Sequence, residues 1–240
     1  MEPLIKDLVK DFAKKELISE EIPRISYLDA MNKYGSDKPD LRFGMELIDL
    51  SDVLSETEFG VFKNAQSVKA IRVEGGSMLS RSQIDKFTDI AKSEGAGGLA
   101  YLTFENGGVK SPIAKFLKPE ELTEIGKKTE AKDGDIVFFG ADKIAVVNKV
   151  LGRLRNEFAD FFNLRDENKV ALAWVVDFPF YEYDEKNKKV DFGHNPFSMP
   201  KGGVEALRQA DNDDKKLEIV ADQYDMVMNG YEICSGAVQN

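Results

Sequence analysis

Asn229-Gly230 stands between two runs of alternating residues, YDMVM and YEICSGAV. In that setting an Asn-Gly pair is the strongest short hairpin signal, because both central residues of a type I′ turn need positive φ. With the pair as the loop, Met228 faces Tyr231, Val227 faces Glu232, Met226 faces Ile233 and Asp225 faces Cys234. Side chains alternate faces with period two. Met226, Met228, Tyr231 and Ile233 therefore share one face, expected to be core, and Asp225 and Glu232 share the other. The two acids are diagonal neighbours, roughly 7–8 Å apart at Cα. That spacing lets two carboxylates flank a magnesium ion, directly or through its waters. Acids on a hairpin's solvated face more often only keep it soluble, and the pattern alone does not choose. His194, within GHNPFSMP, is the single histidine; by itself it reads more often as a structural side chain than as a functional one.

The totals narrow the class. A chain of 240 residues permits one large domain or two modest ones. No apolar run approaches the roughly 20 residues that span a bilayer, and the charged, periodic start MEPLIKDLVKDFAKKEL is unlike a signal peptide. A single cysteine, Cys234, excludes an intrachain disulfide and a thiolate zinc cluster. The cytoplasm is the expected compartment. A net charge of −10 argues against nucleic-acid binding through a global basic field, though not through a local patch.

Three textures follow one another. In residues 1–59, Leu4, Ile5, Leu8, Val9 and Phe12 recur at helical spacing, predicting an amphipathic helix over 2–17 and a short one over Tyr27–Tyr34. SDKPD, residues 36–40, reads as a solvated turn. Residues 60–165 alternate strand and helix: SVKAIRV, a helix capped by Ser80 and Gln83, GLAYLTF, PEELTEIGKKTEA, DGDIVFFGA and IAVVNKVLGRLRNEFADFF. That order predicts a self-contained α/β layer. Residues 166–240 open with VALAWVVDFPFYEYD, expected as one long strand interrupted at Pro179.

Taken in order, RISYLDAMNKYGSDKPDLRFGMEL, the GGSMLSRSQID to PIAKFL unit, WVVDFPFYE, GHNPFSMP and YDMVMNGYEICSGAV resemble the bacterial-type aspartyl-tRNA synthetases, which are class II enzymes. The central unit resembles their inserted GAD domain. The resemblance implies an α+β fold: a partial class II antiparallel sheet with helices over 1–59 and 166–240, interrupted by a GAD domain over 60–165. It implies ATP and Mg2+ at Glu232, with Asp225 as companion, and the aspartate substrate at His194. The parent enzymes activate aspartate by in-line attack of its carboxylate on the ATP α-phosphate, transfer it to tRNA, and work as homodimers away from membranes. No residue here is assigned as catalytic. The family's two ATP-binding arginine motifs are expected outside residues 1–240, which makes an inactive internal piece the expectation. Seven positions after the glutamate the family carries an arginine that grips the substrate's side-chain carboxylate; here it is Gln239. Simple alternation puts Gln239 opposite Glu232, so a bulge is expected at Ser235-Gly236. Replacing a bidentate charged fork by a neutral amide costs on the order of 2–5 kcal/mol of binding. The alternative reading is a non-catalytic module in which the GAD unit docks tRNA or a protein, with Arg72, Arg81, Lys110 and Lys115 as its basic residues.

Overall fold

The computed structural model describes residues 1–184 and 186–239. It divides the chain into two units: one of Met1–Met31, Asp37–Arg42 and Asp166–Asn240, the other of Asn32–Ser36 and Phe43–Arg165.

The second unit is built on a five-stranded antiparallel sheet, ordered Ile48–Asp49, Ser67–Val73, Ile136–Asp142, Ala100–Glu105, Gly108–Lys110. Its central strands are largely buried because both faces are covered, although Ser67–Val73 carries Lys69 and Arg72. Ile71, Val73, Ile136 and Phe138 meet the helices Arg81–Ser93 and Ile144–Phe161 through Phe87, Val150, Leu154 and Phe158. Val68, Ala70, Val137 and Phe139 meet Phe62, Leu102 and Ile125 on the other face. The expected capping box closes at the start of Arg81–Ser93: the Gln83 amide donates to Ser80 Oγ, and the Ser80 amide to Gln83 Oε1 at 2.8 Å. Arg155, 1 % exposed, donates to the carbonyls of Phe43, Gly44 and Met45 and lies over the Phe43 ring. Gly35 meets Gly152 so closely that a Cβ on Gly152 would lie 2.5 Å from the Gly35 carbonyl oxygen.

In the first unit four strands pair in the order Tyr231–Ala237, Gln223–Met228, Leu172–Val176, Arg24–Ser26. The first two contacts are antiparallel and the last is parallel. With two further strands flanking it, Gln223–Met228 is buried on both sides: Met226 packs with Trp174 and Leu172, and Val227 with Val175, Phe178 and Ala30. The helix Tyr27–Tyr34 forms as expected. Three expectations change. The helix over 2–17 shortens to Glu2–Leu8 plus a wide turn, Val9–Ala13, ended by Lys14 at φ 52°. Only Ile5 and Val9 of its apolar set pack inward, while Leu4, Leu8 and Phe12 stay exposed. The long strand stops at Val176 because Asp177 takes a left-handed φ of 63° and Pro179 follows. The chain then forms a separate hairpin, Tyr181–Asp184 with Lys189–Phe192. Among the described residues no helix is long and apolar enough to cross a membrane.

Candidate functional site

The turn of the closing hairpin is as its two residues dictate: φ is 53° at Asn229 and 87° at Gly230. Asn229 also ties the turn to its neighbours, accepting from the Ala171 amide at 2.8 Å and donating to the Lys169 carbonyl. Met228 faces Tyr231 and Val227 faces Glu232 as expected, but then the register slips. Ile233 is an extra residue in a β-bulge, so Met226 faces Cys234 and Asp225 faces Ser235. The bulge therefore exists, two positions earlier than Ser235-Gly236. Its consequence is a correction to the expected core face. Met226 is buried and Met228 half-buried, but Tyr231 is 74 % exposed and Ile233 is 39 % exposed.

Directly paired residues share a face, so Glu232 lies on the face of Val227 and Asp225, and the bulge adds Ser235 and Ala237 to it. Continued alternation carries Gln239 to the same face. Gln239 bridges Ser198, four residues beyond His194, and the Met199 amide donates to the Val238 carbonyl at 2.7 Å. The loop that bears His194 thus runs alongside the end of the hairpin.

Asp225 is buried and accepts from Ser235 Oγ at 2.7 Å. Burial raises its pKa, the hydrogen bond from Ser235 opposes that, and the charge of Glu232 adds to the rise. Glu232 meets Lys38 Nζ at 3.3 Å, and Lys38 meets Asp37 at 2.7 Å. His194 stands 3.5 Å from Glu182, between the rings of Tyr27 and Phe178. Glu182 holds the imidazole pKa above its usual value against the opposing pull of burial, and Asp37 and Asp225 reinforce it. The imidazolium in turn lowers the pKa of Glu182. Burial, with Glu182 nearby, pushes the Tyr27 hydroxyl up to about 12.

The acids, the histidine and the hairpin thus form one electrostatic cluster with Asp37, Lys38 and Glu182. Sequence reasoning missed those three. SDKPD looks like a solvated turn, and Glu182 sits on a short hairpin with no local mark of function. The one available signal was Asp40 with Arg42, an acid and a base two residues apart. They form a buried bidentate pair that fixes the SDKPD loop.

Among the described residues no group of three or more His, Cys, Asp or Glu side chains is arranged to hold a metal ion. Asp225 and Glu232 supply two hard oxygen donors on one face. They fit a magnesium ion that brings its remaining ligands as phosphate oxygens and water. Three of the four basic residues of the alternative reading are locally engaged: Arg72 with Glu130 and Asp135, Lys110 with Glu105, Lys115 over Phe116.

Comparison with known proteins bears on the whole chain. Residues 60–151 match the GAD domain. An aspartate–tRNA(Asp/Asn) ligase of Chlorobium chlorochromatii is 43 % identical over 244 residues, covering 100 % of this chain and 40 % of its own length. Those of Chlorobaculum parvum and Rickettsia felis are 44 % and 42 % identical, again over 100 % of this chain. The chain matches one segment of the aspartyl-tRNA synthetases from end to end. It spans about 40 % of the length of the synthetases it matches. The mixed α+β architecture with antiparallel sheets agrees with the synthetase resemblance, and the GAD match falls within the second unit.

Proposed function

We propose that this chain supplies the GAD unit and one wall of the active site of an aspartate–tRNA ligase. Glu232 and Asp225 bind the magnesium that accompanies ATP, and His194 and Gln239 face the aspartate. The reading is supported by one observation: the bulge at Ile233 turns Ser235 and Ala237 onto the face of Asp225 and Glu232. A magnesium ion supplies charge stabilisation at the ATP phosphates when bound. The chain's own residues orient the substrates. Ser235 holds the Asp225 carboxylate, and Glu182 raises the pKa of the His194 imidazole, which packs edge-on against Tyr27 and Phe178. The domain division proposed is 1–59 and 166–240 for the synthetase sheet, with 60–165 as the GAD insertion. The partners are tRNA, aspartate, ATP and a second copy of the enzyme, in the cytoplasm.

Calorimetry with a non-hydrolysable aspartyl-adenylate analogue tests this. Binding should weaken for Glu232→Gln in the presence of Mg2+, and for His194→Ala. Gln239→Arg should tighten it at least about tenfold, since it adds a charged fork. Binding indifferent to all three substitutions would contradict the assignment.

A second reading, the GAD unit as an interaction module, is favoured by one feature. A cavity of about 460 Å³ in the second unit is lined by Phe59, Val61, Phe62, Leu99, Ile113 and Val150, with further apolar residues. A tRNA titration of the second unit's basic residues in rising salt tests this reading, and no binding even at low salt would end it.

A further inference from the structure

The SDKPD loop is held against the hairpin turn by its own chemistry. Asp40 is 4 % exposed and chelates Arg42 through both Nε and Nη2. A Cβ on Gly230 would lie 3.3 Å from Asp40 Cβ, so the loop and the turn are in close contact. This contact fixes Lys38 beside the first residues of Tyr231–Ala237. Its ammonium lies 3.3 Å from Glu232 and 2.7 Å from Asp37. Asp225 lies on the same face as Glu232 and is buried. Gln223, also on that face and 6 % exposed, leaves its Oε1 without a hydrogen-bond partner. A buried acceptor of this kind is a place for an ordered water.

We propose that Lys38 is a resident counter-cation of the Asp225–Glu232 pair. It holds the Glu232 carboxylate when no divalent ion is bound and yields it to the ion on binding. The inference rests on the magnesium reading above and adds the residue that regulates it. The ammonium has three donors and a second acid, Asp37, to which it stays bonded when Glu232 is released. The Lys38 and Glu232 side chains are each 36 % exposed, so their ion pair is screened and its exchange is inexpensive. A single positive charge beside the site repels a bare divalent ion and is outmatched only when phosphates arrive with it. Lys38 thereby favours the metal–nucleotide complex over the metal alone. Lys38→Met keeps the stem and removes the charge.

Calorimetric titration with Mn2+ alone, in the absence of nucleotide, tests the idea on the unsubstituted chain, K38M, E232Q and K38M/E232Q. Trp174 fluorescence confirms that each is folded. K38M should bind Mn2+ on the order of tenfold more tightly than the unsubstituted chain, and K38M/E232Q should lose that gain. Equal affinity in the unsubstituted chain and K38M, with both lost on E232Q, leaves the carboxylate site standing and overturns the role of Lys38. Mn2+ binding by neither protein, or binding insensitive to E232Q, overturns the magnesium reading and this inference together. If K38M is unfolded, Lys38→Gln carries the same comparison.

Discussion

At the scale of single residues, the chain offers clean probes of its own electrostatics. His194 is the only histidine, so one imidazole spectrum reports one environment. Its pKa is raised by Glu182, which means the protonated form is the one the fold favours. The stabilisation is complete below the unfolded value near 6.5 and is lost as pH rises through the raised folded value. An NMR titration of the unsubstituted chain should therefore give a midpoint above 6.5, and Glu182→Gln should lower it. A midpoint at or below 6.5 would remove the pairing. Asp225 shifts stability in the same direction with pH, but there protonation removes a charge. Its raised pKa favours the neutral acid in the fold, a benefit present at low pH and lost as pH rises through that value. At neutral pH the buried carboxylate is a cost. Asp225→Asn should raise Tm by a few degrees while weakening divalent-ion binding, the trade expected of a functional site. A drop in Tm would show that Asp225 is structural. None of this chemistry was legible beyond the acids and the histidine themselves. Lys38 and Glu182 are brought in by long-range pairing that leaves no trace in local sequence.

At the scale of elements, the hairpin shows where sequence reasoning ends. Its turn is local, so Asn229 and Gly230 specify it outright. The bulge was legible only as a need, since Gln239 had to share a face with Glu232. Its place at Ile233 rather than Ser235-Gly236 is decided by packing. Cys234 joins the Met226 and Trp174 cluster, and Ser235 meets Asp225. Deleting Ile233 should straighten the strand while keeping Cys234 opposite Met226 and Ser235 opposite Asp225, so hydrogen-exchange protection at Cys234–Ala237 should be retained. Accelerated exchange at Cys234–Ala237 would mean that the pairing depends on the bulged residue itself. The N-terminal helix makes the same point in reverse. Leu4, Leu8 and Phe12 fit the helical period as well as Ile5 and Val9 do, yet they stay exposed while Ile5 and Val9 pack inward. Periodicity cannot report which part of an apolar stripe finds a neighbour.

At the scale of the whole molecule, the two units have separate cores, one around Phe138 and Phe158 and its opposite sheet face, the other around Trp174 and Met226. The strand–helix alternation made the first of these legible, because its helices are long, periodic and capped. Trp174 is the only tryptophan and lies in the first unit. Denaturant unfolding followed by its fluorescence should not coincide with unfolding followed by far-ultraviolet circular dichroism, which reads both units. Superimposable curves would show a single cooperative body.

The central claim is that the acids of the hairpin and His194 face one bound metal–nucleotide complex. The most direct measurement is paramagnetic broadening of the His194 imidazole signals during titration with Mn2+ and ATP. The account predicts broadening at stoichiometric metal that disappears in Glu232→Gln. Sharp signals from His194 while Mn2+ binds, or broadening that survives the substitution, would contradict it.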